Sequence, residues 1–212
     1  MQDEPNTEPP KKIWDFPTRA FHWALVIAIC TSFLSVEFGN MELHFTSGGV
    51  VLFLILFRVI WGFVGPETAQ FHRCLPTPAR IKEWRANLGI GHSPWGAMSV
   101  FAMLGLIGAQ ASLGLFADDE IYTTGPLRDM VSTRTSYTVT SYHSQISTLI
   151  LWFIGLHIAA IAFYTFIKRS PILRTFIKGT ATEQPKSIQP RPWYWALASI
   201  IVAAIPVLLI FS

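Results

Sequence analysis

Residues 143–157 read HSQISTLILWFIGLH, an apolar run with a histidine at each end. Its flanks extend it to roughly Tyr142–Ile167, more than the about 20 residues that cross a bilayer core. On a helix, the step from His143 to His157 rises about 21 Å and turns about 40° short of four full turns. Both imidazoles therefore face one side of a single membrane helix, at two depths. Imidazole within a bilayer is costly, so a matched pair marks a functional position.

Four more stretches have membrane-spanning length: Phe21–Phe38, His44–Phe63, Ala97–Phe116 and Trp193–Ser212. The composition agrees: 51% of residues are hydrophobic, 14% are charged, and the mean hydropathy is +0.40. That excludes an ordinary soluble domain. The expected fold is an all-α membrane protein, a four-helix transmembrane bundle with a fifth, C-terminal transmembrane helix. Residues 1–17 read as a polar cytoplasmic N-terminus and 18–180 as the transmembrane domain. Residues 181–212 read as a linker and the last helix, an appended anchor without ligands; the whole inner loop Lys168–Pro192, with four prolines and basic residues, reads as a linker. No secretory signal pattern precedes the first span, which is expected to be retained.

The net charge of +3 matters by its placement. With the first span entered from the cytoplasm, thirteen of the sixteen Lys and Arg residues flank the inner ends of spans. Only Arg128 and Arg134 fall outside, and Arg58 lies within a span. The positive-inside rule then places the N-terminus in the cytoplasm and the C-terminus outside. Cations that border membrane spans give no reason to expect a nucleic-acid partner. Thr18 is the expected cap of the first helix, Ser93 and Pro94 start the third, and Pro78–Leu88 reads as an interfacial helix.

His22 opens the first apolar run and His44 the second, so four imidazoles stand at two levels. Two haems, each held between two helices, suit that arrangement. Tetrahedral zinc would need its ligands together at one level. Matching depths pairs His44 with His143 on the outer iron and His22 with His157 on the inner iron. The two cysteines, Cys30 and Cys74, form no Cys-x-x-Cys-His motif, which excludes covalent haem attachment.

Arg58 follows His44 at the same spacing that separates His143 from His157, and so lies near the inner level. It is a candidate propionate partner, with Arg19 a second, and the alternative for Arg58 is snorkelling to the inner headgroups. Gly48, one turn after His44, would leave room for a flat macrocycle, as would Gly155 beside His157. Gly105, Gly108 and Gly114 read as helix-packing positions. His72 and His92 fall in the inner loop. The outer run Asp118-Asp119-Glu120 is a candidate for steering a basic electron carrier.

Several strings together resemble the prokaryotic cytochrome b561 family, which overlaps with the b-type cytochrome subunits of nickel-iron hydrogenases. They are Thr18-Arg19-Ala20-Phe21-His22-Trp23, His44-x-x-x-Gly48 and Leu56-Phe57-Arg58-Val59-Ile60-Trp61-Gly62-Phe63-Val64-Gly65. Gly91-His92-Ser93-Pro94-Trp95-Gly96-Ala97 and Phe116-Ala117-Asp118-Asp119 complete the set. The resemblance covers roughly residues 11–180. It implies a four-helix core with two haem b groups, liganded from spans one, two and four, where His22, His44, His143 and His157 fall. The expected function is electron transfer between a quinone, ubiquinone or menaquinone, and a redox partner. That partner would be a periplasmic c-type cytochrome or a dehydrogenase or hydrogenase subunit. The resemblance implies a bacterial inner membrane, so that the C-terminus is expected in the periplasm. Rival readings are a superoxide:quinone oxidoreductase, a membrane anchor subunit of a hydrogenase or dehydrogenase, and a transporter with proton-relay histidines. The oligomeric state and any catalytic residue are left open.

Overall fold

The computed structural model of the chain describes residues 10–75, 77–85, 94–119, 123–181 and 187–212. A short strand, β1 (Lys11–Lys12), precedes the long helices α1 (Phe16–Glu37) and α2 (Met41–Val64). Two short helices follow, α3 (Phe71–Cys74) and α4 (Pro78–Arg85), and then α5 (Pro94–Gly114). A 3₁₀ turn at Arg128–Met130 leads to α6 (Thr133–Ala162), which continues as a π-helical turn, Phe163–Ile167. The chain ends with α7 (Ile172–Lys178), β2 (Thr180–Ala181) and α8 (Trp193–Phe211). Among the described residues, five helices are long and apolar enough to cross a membrane, as the sequence predicts.

Asp15, rather than Thr18, caps α1. Its carboxylate accepts the Thr18 backbone N–H at 3.2 Å, and Pro17 sits in the first turn, where a missing N–H costs nothing. The same oxygen, Oδ2, accepts Trp61 Nε1–H at 2.9 Å, tying the start of α1 to the end of α2. At the far end the chain reverses through Gly39, which takes φ +68°, a conformation open mainly to glycine. Asn40 then caps α2 by accepting the Leu43 N–H at 3.0 Å.

α2 is the hub. It packs against α1, α5 and α8, while α5 packs against α6. Phe21, Leu25, Val51, Leu54, Phe57, Trp61, Ile107, Ile150 and Ala203 share one core. The fifth membrane helix, expected as an appended anchor, is a packed wall of this bundle. The Phe211 ring lies 3.3 Å from where a Cβ on Gly49 would stand. Leu151, Trp152, Leu156 and Ile158 of α6 are exposed, an apolar face that a bilayer solvates and water does not.

The start of the chain is held against the segment that follows α6. β1 pairs antiparallel with β2, Lys11 opposite Ala181 and Lys12 opposite Thr180. Ile13 and Trp14 N–H both donate to Gly179 O, and Ile188 N–H donates to Lys12 O at 2.8 Å. Thr68 Oγ1 donates to Ile13 O at 3.0 Å. The starts of α1 and α8 and the end of α2 thus meet at one end of the molecule, together with α7. The segment expected as a plain linker, 168–192, contains both α7 and β2.

At the opposite end, residues 115–132 form a folded loop. Gly125 N–H donates to Ala117 O at 2.7 Å and Leu127 N–H to Leu115 O at 2.8 Å. Gly125 lies so close that a Cβ there would stand 2.5 Å from two backbone oxygens. α6 then starts at Thr133, well before the expected Tyr142, with Ser132 capping it through the Thr135 N–H at 3.2 Å. The interfacial helix expected over Pro78–Leu88 is α4; residues 86–88 and the cap expected at Ser93 lie outside the described residues.

Candidate functional site

His44 lies in the first turn of α2, and His143 lies well inside α6. Their rings face across the bundle with centroids 6.2 Å apart and planes at 89°. Two imidazoles on opposite sides of one metal, each bonded at about 2 Å, would have centroids roughly 6 Å apart once the ring radii are added. The separation fits a shared iron, and rotation about the metal–nitrogen axis leaves it unchanged.

Hydrogen bonds choose the nitrogen that stays free. His143 Nδ1 lies 3.0 Å from Gln110 O, and His44 Nδ1 lies 3.1 Å from both Ser32 O and Ser32 Oγ. A carbonyl only accepts, so both Nδ1 atoms must carry the proton. Nε2 on each ring is left with its lone pair, the arrangement that orients a metal-ligating histidine. Gly114 lets α5 approach closely, since a Cβ there would stand 3.0 Å from His143 Cε1.

His22 and His157 are close enough at the opposite level to interact electrostatically. The His22 ring meets the edge of Phe176 from α7 at 5.0 Å, and its buried Nδ1 has no partner among the described residues. Of the two predicted pairs, His44 and His143 are brought into ring contact with backbone acceptors in place, while His22 packs against Phe176. No group of three or more His, Cys, Asp or Glu that could hold a metal is found among the described residues.

Arg58 is only 3% exposed, so it does not snorkel to the headgroups. Its guanidinium lies 4.7 Å over the Phe71 ring, and buried Nη1 has no hydrogen-bond partner among the described residues. That orphaned donor suits an anionic group such as a propionate. Arg19 is engaged differently. Its Nη1 donates to Ile177 O at 2.6 Å, which ties α1 to α7 and leaves Nε unpartnered. A Cβ on Gly48 or Gly155 would meet nothing within 4 Å; Gly48 leaves open space one turn from His44, whereas Gly155 is exposed and lies on nearly the opposite side of α6 from His157. His72 is exposed, and His92 lies outside the described residues.

Several contributors carry no signal that sequence reading used. The Ser32 and Gln110 carbonyls are backbone groups that any residue supplies. Phe71 and Phe176 come from short helices inside segments read as loops. Asp15 was legible, since Asp15-Phe16-Pro17 has the form of a capped helix start. In the outer loop, Asp118 accepts Arg128 Nε at 2.6 Å, and Asp119 accepts the Thr123 N–H at 2.8 Å. Those two carboxylates organise the loop; Glu120 lies outside the described residues.

The family model for prokaryotic cytochrome b561 matches residues 13–179, which include all four histidines, Arg19, Arg58 and Gly48. The chain belongs to that family. It is a multi-pass inner-membrane cytochrome b, a helical bundle for electron transfer with haem b as its cofactor. No curated protein and no solved structure matches the chain. In this cytochrome b, α8 lies beyond the family match, although it packs on α2 as part of the same core.

Proposed function

We propose that this cytochrome b holds two haems and passes electrons between a quinone, ubiquinone or menaquinone, and a redox partner at the periplasmic face. When bound, haem supplies one-electron chemistry; the protein supplies ligands, spacing and charge. His44 and His143 would ligate the outer iron through Nε2, with Ser32 O and Gln110 O fixing the tautomer. His22 and His157 would ligate the inner iron. Arg58 would offer a fixed positive charge to an inner propionate, and the open space beside Gly48 would admit the outer macrocycle.

The observation that carries this reading is the facing of His44 and His143 at 6.2 Å, each with Nδ1 held by a backbone carbonyl. The end bearing Lys11, Lys12, Lys168, Arg174 and Lys178 is assigned to the cytoplasm, which places the C-terminus in the periplasm. Candidate partners are a c-type cytochrome or a dehydrogenase or hydrogenase subunit. A pyridine haemochrome assay on purified protein should count two haem b per chain, and quinol addition should reduce them. A single haem per chain would overturn the dihaem reading, and inertness toward both quinol types would overturn the quinone reading.

A further inference from the structure

A cleft of about 310 Å³ lies between the π turn of α6 and helix α7. Its walls are mainly carbon, from Leu173 and Ile177 and the stems of Arg174 and Lys178, with Thr165 and Ser170 on the α6 side. Arg174 and Lys178 are one turn apart on α7, so both cations sit on one face at the rim. Both are exposed, and neither is paired with a carboxylate among the described residues. Thr165 Oγ1 is buried without a hydrogen-bond partner among those residues, in a π turn, a rare geometry that is frequent at functional sites. At the end of that turn, Arg169 takes φ +51°, and the chain folds back into α7.

An apolar slot with two cations at its mouth, at the edge of a membrane span, matches one class of molecule. We propose that this cleft binds an anionic phospholipid, with its phosphate between Arg174 and Lys178 and an acyl chain against Leu173 and Ile177. At about 310 Å³ the cleft stands at the lower end of the range for small-molecule pockets, room for a segment of an acyl chain. A neutral quinone would leave both cations without a counter-charge, so the charge pattern favours the lipid.

The site reaches toward the inner histidine. Phe176, on the same helix, stands edge-on to His22 at 5.0 Å and to Trp14 at 5.5 Å. Ile177 O accepts Arg19 Nη1–H at 2.6 Å. A lipid held on the face of α7 that bears Arg174 and Lys178 thus holds the helix against His22, without contributing to ligation.

Native mass spectrometry of the full-length protein, exchanged between phosphatidylglycerol and phosphatidylcholine, tests this directly. The wild-type protein should retain phosphatidylglycerol preferentially. Arg174→Gln with Lys178→Gln should reduce that preference roughly thirty-fold, the worth of two cations at a membrane surface. The pair Lys11→Gln and Lys12→Gln removes the same charge from the same end and should leave most of it. Leu173→Trp, which fills the slot while keeping both cations, should also release the lipid. Haem absorbance confirms that each variant is folded. An equal loss in the Lys11/Lys12 control would reduce the effect to diffuse surface charge and overturn the site. So would a wild-type protein that retains both lipids equally, or one that keeps a quinone there instead.

Discussion

Arg58 brings a full positive charge into an apolar interior at 3% exposure. Burying a lone cation costs several kcal/mol even after relaxation, and the face of Phe71 returns only about 0.5–2 kcal/mol. The Asp15 carboxylate lies within electrostatic reach, but buried Nη1 has no acceptor among the described residues, which is the argument for an inner propionate. With a neighbour of this charge the electron-rich state is favoured. Arg58→Leu should therefore lower the potential of one haem, by roughly 1–2 kcal/mol at an effective dielectric of about 20, or some 40–90 mV. Both haems should stay bound. A redox titration with unchanged potentials would remove the propionate role. Gly114 offers the matching test at the other level, because the carbonyl that orients His143 is backbone and cannot be mutated. Gly114→Val should push the His143 ring away and disturb only the other titration component. That His143 and His157 stand at two levels of one helix, and that Arg58 lies well below His44 on another, was legible from spacing, because helical periodicity turns sequence distance directly into depth. Their hydrogen-bond partners were not, since Ser32 O and Gln110 O leave no trace in residue identity.

At the scale of the element, ends are decided by local polar chemistry, and hydropathy sees that poorly. The first turns of α6, Thr133–Ser141, are rich in Ser and Thr and read as loop, yet Ser132 caps them and the helix begins there. α1 shows the converse. Thr18 has the right chemistry for a cap, but Pro17 just before it favours a helix already under way, and Asp15 takes the role. Asp15→Ala should cost about 0.5–2 kcal/mol for the cap and about 1–3 kcal/mol for the Trp61 N–H left unpaired. Asp15→Asn keeps an acceptor and should cost less. Thermal unfolding of the holoprotein orders the two, and equal losses would mean that the cap bond is not the cause. The 168–192 segment was read as a linker because α7 is too short to produce a periodic signal. Its order comes from long-range partners in β1, Arg19 and His22.

Across the whole molecule, hydropathy gave the number of spans directly, because a bilayer sets one length for all of them. It gave no packing order. That depends on which faces fit, and α2 serves as hub because Gly49, Gly62 and a run of small and aliphatic residues let α1, α5, α8 and Phe71 approach. α8 contributes Ala203, 1% exposed, to the core that it shares with α2 and carries no histidine. Ala203→Leu should wedge α8 outward at a cost of about 1–3 kcal/mol in stability, with haem content unchanged. Loss of haem in that variant would give α8 a part in the cofactor sites. The central claim is that two irons are shared as His44 with His143 and His22 with His157. It is tested most directly by the haem-to-protein ratio of two double variants. His44→Ala with His143→Ala should keep one haem per chain, because both changes strike the same iron. His44→Ala with His22→Ala should keep none. The opposite result, one haem in the second variant and none in the first, would contradict the pairing.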